Sequence, residues 1–367
     1  MSAVVLQNLA VAAILAVAAL AVRAMAASEQ YREAWSRIRK GRIAMVSLAV
    51  LCLYVAVGVL DSVCWRDAVR DEQGKVVTDD AGAPVLDSSA LSVIDRLLTP
   101  LRENREKTYS APFARVQYTK ETVVLPGGGK ARANPELRHP RAHLLGTDRV
   151  GNDVLFLALK GCRTALVIGG LTTLLVIPLA VMFGLAAGYF GGRVDDVIQY
   201  IYTTLESIPS ILLISAYMLI TGRSLFNLCV IMGVTSWTGL CRLLRGEALK
   251  LREQDYVRAA KASGLGSARI IARHLLPNVM HVVLIVFILR FSGLVLSEAV
   301  LTYLGIGVDA GTGSWGRMVD ISRAELTREP LVWWNLAAAF GFMFGLVLPL
   351  NLFGDAVRDA LDPKLRT

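Results

Sequence analysis

The sequence predicts an all-α, polytopic membrane helix bundle, and three observations predict it. Charged residues make up only 19% of the 367, against roughly 25% in an ordinary soluble domain, while 54% are hydrophobic and the mean hydropathy is +0.51. Seven stretches are apolar over about the twenty residues that a helix needs to cross the hydrocarbon core. The formal net charge of +9 is concentrated in two polar segments between those stretches. This composition excludes a disordered chain, which needs low hydrophobicity. Five cysteines in this length exclude a dense disulfide scaffold.

The first stretch, Ala3 to Val22, reads as a span because no basic residue precedes it and its first charge is Arg23. A signal peptide is the rival reading, kept open by Ala24-Met25-Ala26 as a cleavage-like site. Ile43 to Leu60 is the second span. Thr164 to Phe190 is the third and is long enough to tilt. Val197 to Ile220 is the fourth and carries Glu206 and Pro209. Leu225 to Cys241 is the fifth, Val279 to Leu304 the sixth with Arg290 and Glu298, and Val332 to Phe353 the seventh. Pro178, Pro209 and Pro349 are expected to kink their helices.

Charge sets the orientation. Residues 23–42 hold six Lys/Arg against two acids, and residues 242–278 hold eight against three. Together they account for the whole net charge. The positive-inside rule places both in the cytoplasm, and the even number of spans between them makes the two assignments agree. The N-terminus is then outside, residues 61–160 are outside, and the C-terminus is cytoplasmic. The basic balance reports topology and gives no reason to invoke nucleic acid.

Residues 61–160 carry fifteen Lys/Arg and fourteen acids with Gly/Pro punctuation, including Gly127-Gly128-Gly129. They read as a partly ordered extracytoplasmic insertion. Val116 to Leu125 is expected as a strand by its β-branched content. Ser89 to Leu101 is expected as a helix with Ser89 as its N-cap. Cys52, Cys229 and Cys241 fall in spans as packing residues. Cys64 and Cys162 fall on one face, and whether they pair stays open. His139 and His143 are separated by Pro140, and no third metal ligand accompanies them. No HExxH, GxSxG, Walker A or CxxC pattern occurs, so no catalytic residue, metal site or cofactor is expected.

The stretch Asp255-Tyr-Val-Arg-Ala-Ala-Lys-Ala-Ser-Gly-Leu-Gly, continuing to Pro277, is the most informative. Tyr256 to Ser263 reads as a short helix broken by Gly264 and Gly266. Ser267 is expected to cap a second helix, Ala268 to Leu276, ended by Pro277. The first helix is rich in small side chains (Ala259, Ala260, Ala262), which let another surface approach its backbone. Two readings stand on the residues alone: a docking element for a protein partner, or an amphipathic helix on membrane lipid.

This stretch resembles the "EAA–x3–G–x9–I–x–LP" signature of the permease subunits of bacterial ABC importers, through Ala259, Ala260, Gly264, Leu276 and Pro277. Arg258 stands where the signature has Glu. Other segments resemble the second permease of dipeptide, oligopeptide and nickel importers, the OppC/DppC type. These are Trp35 to Lys40, the run His143-Leu-Leu-Gly-Thr-Asp-Arg-Val-Gly-Asn-Asp-Val, Gly188 to Asp195, and Ser207-Ile-Pro209. Ser297 to Val308, Ser314-Trp-Gly316 and Asn351 to Pro363 complete the series.

The resemblance implies a six-span type I permease core with one extra N-terminal span and the insertion between spans 2 and 3. It divides the chain into residues 1–27 (extra span), 28–60 (basic segment and first core span), 61–160 (insertion), 161–353 (permease core, with coupling loop 242–278) and 354–367 (cytoplasmic tail). It implies a location in the bacterial inner membrane, with a second homologous permease, two ATPase subunits and an extracytoplasmic solute-binding protein as partners. The chain would form half of a peptide pathway. The ATPase would dock on Tyr256, Arg258, Ala259, Ala260, Gly264, Leu276 and Pro277. Glu206, Arg290 and Glu298 are ionisable groups inside spans, read either as pathway lining or as structural partners. The rival functions are a stand-alone secondary transporter or channel, and a membrane-anchored enzyme or sensor working through the insertion.

Overall fold

The computed structural model describes residues 29–69, 75–78, 84–87, 90–124, 130–309 and 311–361, with scattered positions between 4 and 23 that are helical. Ser89 lies outside the described residues. The helices are α1 (Glu29–Ile38), α2 (Arg42–Ser62), α3 (Val93–Leu97), α4 (Thr99–Glu103), α5 (Val154–Phe190), α6 (Gly192–Ser207) and α7 (Ser210–Thr221). They continue as α8 (Leu225–Ser236), α9 (Thr238–Arg252), α10 (Asp255–Ala262), α11 (Ser267–Ile270), α12 (Leu276–Tyr303), α13 (Trp315–Glu325) and α14 (Trp334–Leu361). Strands β1 (Cys64–Trp65) and β2 (Leu91–Ser92) form one antiparallel pair, and β3 (Glu121–Val124) and β4 (Lys130–Ala133) another.

Among the described residues, five helices are long and apolar enough to cross a membrane: Arg42–Ser62, Val154–Phe190, Leu225–Arg252, Ser267–Tyr303 and Trp334–Leu361. The fourth predicted span is corrected. It is two helices, α6 and α7, bent by 81°, where a single kinked helix was expected. Pro209 is the cause: it lacks an N–H and forces the preceding residue out of the helical region, and Ile208 is extended at φ −93°, ψ 125°. The third span starts at Val154, ten residues earlier than expected, because Asp153 caps it by accepting from the Phe156 N–H at 3.1 Å. The seventh continues to Leu361. The apolar spans leave residues such as Leu219 (83% exposed) and Ile220 (86%) uncovered, a surface suited to lipid or another apolar chain.

The chain divides into two compact units: residues 1–36, 49–164 and 313–345, and residues 37–48, 165–312 and 346–367. The first gathers the insertion and the loop after span 6, which the charge pattern assigns to one side. Asn8 is fixed here, its amide donating to the Cys64 carbonyl at 2.6 Å and accepting from the Cys64 N–H at 3.1 Å. Ser92, where Ser89 was expected, caps the helix α3 and forms a capping box with Asp95. Ser314 caps α13, and the Trp315 indole donates to the Ala158 carbonyl at 2.8 Å. The run from His143 is a turn held by buried polar side chains: Asp148 accepts from the Val150 and Asn152 N–H groups, and His143 Nδ1 lies 2.8 Å from Asp153. Cys64 and Cys162 are buried and free; Cys52 is exposed, against the expectation that it packs.

Glu325 is buried in this unit and accepts from the Asn335 amide at 3.1 Å. Burial pushes its carboxyl above the ordinary 4.5, against the opposing contacts of Asn335 and Tyr109. A raised folded-state value means that its stabilising contribution is complete below pH 4.5 and is lost as pH rises through the folded value. Glu325→Gln is therefore expected to match the wild type near pH 4 and to exceed its thermal midpoint at pH 8. Parallel pH profiles for the two proteins would refute this.

In the second unit, α5 and α9 meet closely. A Cβ at Gly184 would lie 2.9 Å from the Leu244 Cβ, and one at Gly188 2.5 Å from the Ala248 Cβ. The Gly184-x-x-x-Gly188 spacing puts both on one face, so the backbones can touch. Arg245 clamps Asp195 bidentately, at 2.5 and 2.7 Å, tying α9 to α6.

Candidate functional site

Helix α10 begins after extended Gln254, with Asp255 in its first turn, where a carboxylate suits the helix dipole. It ends in two reciprocal hydrogen bonds: Gly264 N–H to the Lys261 carbonyl at 3.1 Å, and Leu265 N–H to the Ala260 carbonyl at 3.2 Å. This is the Schellman arrangement, which needs a left-handed residue after the cap. Gly264 supplies it at φ +79°. Leu265 then packs against the core beside Ala260.

The second half of the segment differs from expectation. Gly266 occupies the cap position and Ser267 is already helical, making no capping bond. Pro277 does not end a helix; it sits in the first turn of α12. Between them Ile271–Leu275 is a π-helical turn. A proline ring clashes with the carbonyl four residues back, and a wide turn relieves that clash while the helix continues. The result is one 37-residue helix, Ser267–Tyr303.

Val257, Ile270 and Leu275 are buried among Leu240, Leu244 and Ala248 of α9 and residues of α5. The anchoring role of these residues was not read from the sequence, although Val257 is the apolar residue opposite the small-residue face. With Val257 held inside, Tyr256 (43% exposed), Arg258 and Ala259 face outward and Ala260 is half-buried. Tyr256 accepts a long bond of 3.4 Å from the Asn278 amide, and its ring centroid lies 6.1 Å from that of His274. Leu276 packs on the core and Pro277 is exposed. Arg258 pairs with Glu253 at 2.7 Å, and Arg258 and Arg252 hold the Glu253 carboxyl below its ordinary range. A pocket of about 320 Å³ opens beside the helix, lined by Tyr189, Phe190, Arg252, Val257, Arg258 and Lys261 among others. The seven residues expected to dock a partner thus belong to one exposed helix, its glycine turn and the start of a spanning helix.

Each of the three intramembrane ionisable residues has a hydrogen-bond partner outside the trio. Glu206 is exposed and paired with Arg242. Arg290 Nη1 donates to the Ser236 carbonyl at 2.9 Å, satisfying the C-terminal end of α8. Glu298 is buried and accepts from Thr302 Oγ1, one turn on, at 2.8 Å.

The family model of binding-protein-dependent transport system inner membrane components matches residues 180–367. The chain is similar to the oligopeptide transport system permease protein OppC of Bacillus subtilis (strain 168), at 35% identity over 258 residues, 70% of this chain and 81% of that one. It is also similar to the glutathione transport system permease protein GsiD of Pectobacterium atrosepticum, at 34% over 228 residues, 62% and 74% of the two chains. Similarity to the dipeptide transport system permease protein DppC of Lactococcus lactis subsp. cremoris is 26% over 334 residues, 91% of this chain and 90% of that one. A match of that extent includes the insertion.

Proposed function

This chain belongs to the family of binding-protein-dependent transport system inner membrane components, and we propose that it forms half of a peptide translocation pathway and docks an ATPase subunit on Tyr256 to Pro277. It is a multi-pass inner-membrane permease component and not an enzyme; ATP hydrolysis would reside in its partners. The observation that carries the docking assignment is mechanical. Helix α10 presents an exposed face, is anchored by Val257, and passes through the Gly264 turn into the unbroken helix Ser267–Tyr303. A push on α10 therefore reaches a spanning helix without an intervening flexible loop.

The rest of the reading follows from the family and the charge pattern. Two ATPase subunits close on the cytoplasmic face, a second permease completes the pathway, and a solute-binding protein delivers substrate outside. The N-terminus lies outside and the C-terminus in the cytoplasm. Binding energy that differs between the inward- and outward-facing states biases their exchange. Peptide is the substrate class that fits the names of the similar proteins. Purification of the chain from its own host in mild detergent tests the assembly. Co-purification of a second permease and two ATPase chains is the expected result. A chain that emerges alone, under conditions in which a control importer stays intact, would overturn the reading in favour of a stand-alone transporter.

A further inference from the structure

Residues 61–160 are nearly neutral in sequence, but their carboxylates are unevenly placed. Over residues 90–160 there are twelve Lys/Arg and seven Asp/Glu. Four of those seven, Asp95, Glu106, Asp148 and Asp153, are buried. Each is used internally. Glu106 accepts from the Arg138 and His139 N–H groups at 3.0 and 2.7 Å, Asp148 holds its own turn, Asp153 caps α5, and Asp95 meets Lys160. Two more, Glu103 and Glu121, are paired with Arg102 and Lys107. The seventh, Glu136, is exposed, so the surface of this part is more basic than its composition.

The excess is local. Phe113 N–H donates to the His143 carbonyl at 3.0 Å, Arg141 N–H to the Ala114 carbonyl at 2.9 Å, and Leu137 N–H to the Arg115 carbonyl at 3.1 Å. These bonds bring Phe113, Arg115, Arg138, Arg141 and Leu144 onto neighbouring strands of loop. All five are exposed, Phe113 at 60% and Leu144 at 47%. None of the three guanidinium groups is paired with a carboxylate among the described residues. Phe113 and Arg141 also hold left-handed backbone, at φ +56° and +64°, which a bulky side chain rarely adopts. An aromatic and several arginines together, exposed and held by a strained backbone, have the composition of a binding hot spot more than that of solvated loop.

We propose that the surface around Phe113 and Arg141 docks the acidic face of a soluble substrate-binding protein. The proposal rests on the reading of the chain as a permease with residues 61–160 outside. The occupant follows from charge, because unpaired guanidinium groups around an apolar centre call for carboxylates around an apolar complement. It follows also from the family, whose transport depends on a binding protein. Anionic lipid and a second copy of the chain are the competing occupants.

The test uses the assembled transporter in phosphatidylcholine nanodiscs, with the binding protein that supports its uptake as the probe. Phe113→Ala and Arg141→Glu are each expected to weaken association at least about tenfold. Arg141→Lys should retain most of it, and basal ATPase activity should stay unchanged in all three. Wild-type association should weaken as ionic strength rises. Both are substitutions at left-handed positions that keep a Cβ, so neither changes the backbone demand. A photo-crosslinking residue at Leu144 gives a second readout that does not depend on those variants, and an adduct with the binding protein is expected. Unchanged affinity in both variants, an adduct with lipid or with a second copy, or variants that alter only binding to phosphatidylglycerol vesicles would overturn the docking surface. Failure of the wild-type chain to assemble with ATPase subunits would instead overturn the underlying reading.

Discussion

Gly264→Val is expected to leave the transporter assembled but to cut the solute moved per ATP hydrolysed about tenfold or more. A Cβ at Gly264 meets nothing within 4 Å, so the effect is not steric crowding. It comes from φ +79°, where an L-residue costs about 1–2 kcal/mol and a β-branched one more. That energy is released most cheaply by opening the turn, which breaks the Gly264–Lys261 and Leu265–Ala260 hydrogen bonds. Helix α10 then loses its fixed angle to Ser267–Tyr303. A penalty of about 1.4 kcal/mol lowers the competent population about tenfold. Gly264→Asn, which tolerates the left-handed region better, should retain much of the coupling. Transport and ATPase rates measured together in proteoliposomes decide it. Equal coupling ratios for Val and wild type, at equal expression, would remove the docking turn from the mechanism.

Lys160→Met is expected to lower the stability of the first unit by about 3 kcal/mol, the order seen when one partner of a buried ion pair is removed. The Lys160 ammonium lies 2.6 Å from Asp61 Oδ1 and 2.9 Å from Asp95 Oδ1, and Ser92 Oγ donates to Asp61 at 2.7 Å. Asp61 closes α2, Asp95 belongs to α3 and Lys160 to α5, so one cation joins three helices. Removing it leaves two carboxylates buried against each other. The triple variant Lys160→Met, Asp61→Asn, Asp95→Asn should recover most of the loss, because it removes the uncompensated charge. Acidification should mimic part of the effect. Burial raises the Asp95 value, but the Ser92 N–H and Lys160 outweigh it and hold the carboxyl below its ordinary 3.8. Its contribution is then present above pH 3.8 and is lost as pH falls below that. Thermal midpoints in detergent, read by intrinsic fluorescence, would contradict this if the single variant matched the wild type.

The spans were legible because membrane insertion depends on local composition. Twenty apolar residues predict a spanning helix wherever they occur, and the five helices found coincide with predicted runs. Their ends were less legible. Val154 begins its helix ten residues early because Asp153 caps it, and Ser267 to Tyr303 runs through Pro277 because a π turn makes room for the ring. Both outcomes turn on single hydrogen bonds or single clashes that hydropathy averages away. The bend at Ile208-Pro209 was visible as a proline, but the 81° angle was not.

For the segment proposed to dock the ATPase, the sequence by itself determined the small-residue face, the Gly264 turn and the basic charge, since these are properties of residues near one another in the chain. Only the tertiary structure decided which residue anchors the helix, because Val257 is buried in a core cluster that includes residues of α5 and α9, far from it in the chain. The same holds outside the membrane. The sequence determined that residues 61–160 are nearly neutral and, at their C-terminal side, basic. Folding decided that the surface there is strongly basic, because Asp95, Glu106, Asp148 and Asp153 turn inward to satisfy backbone N–H groups, a helix cap and Lys160. Charge content is additive along a chain, whereas which charges face solvent depends on partners brought together from distant positions, as Asp61 and Lys160 are across ninety-nine residues.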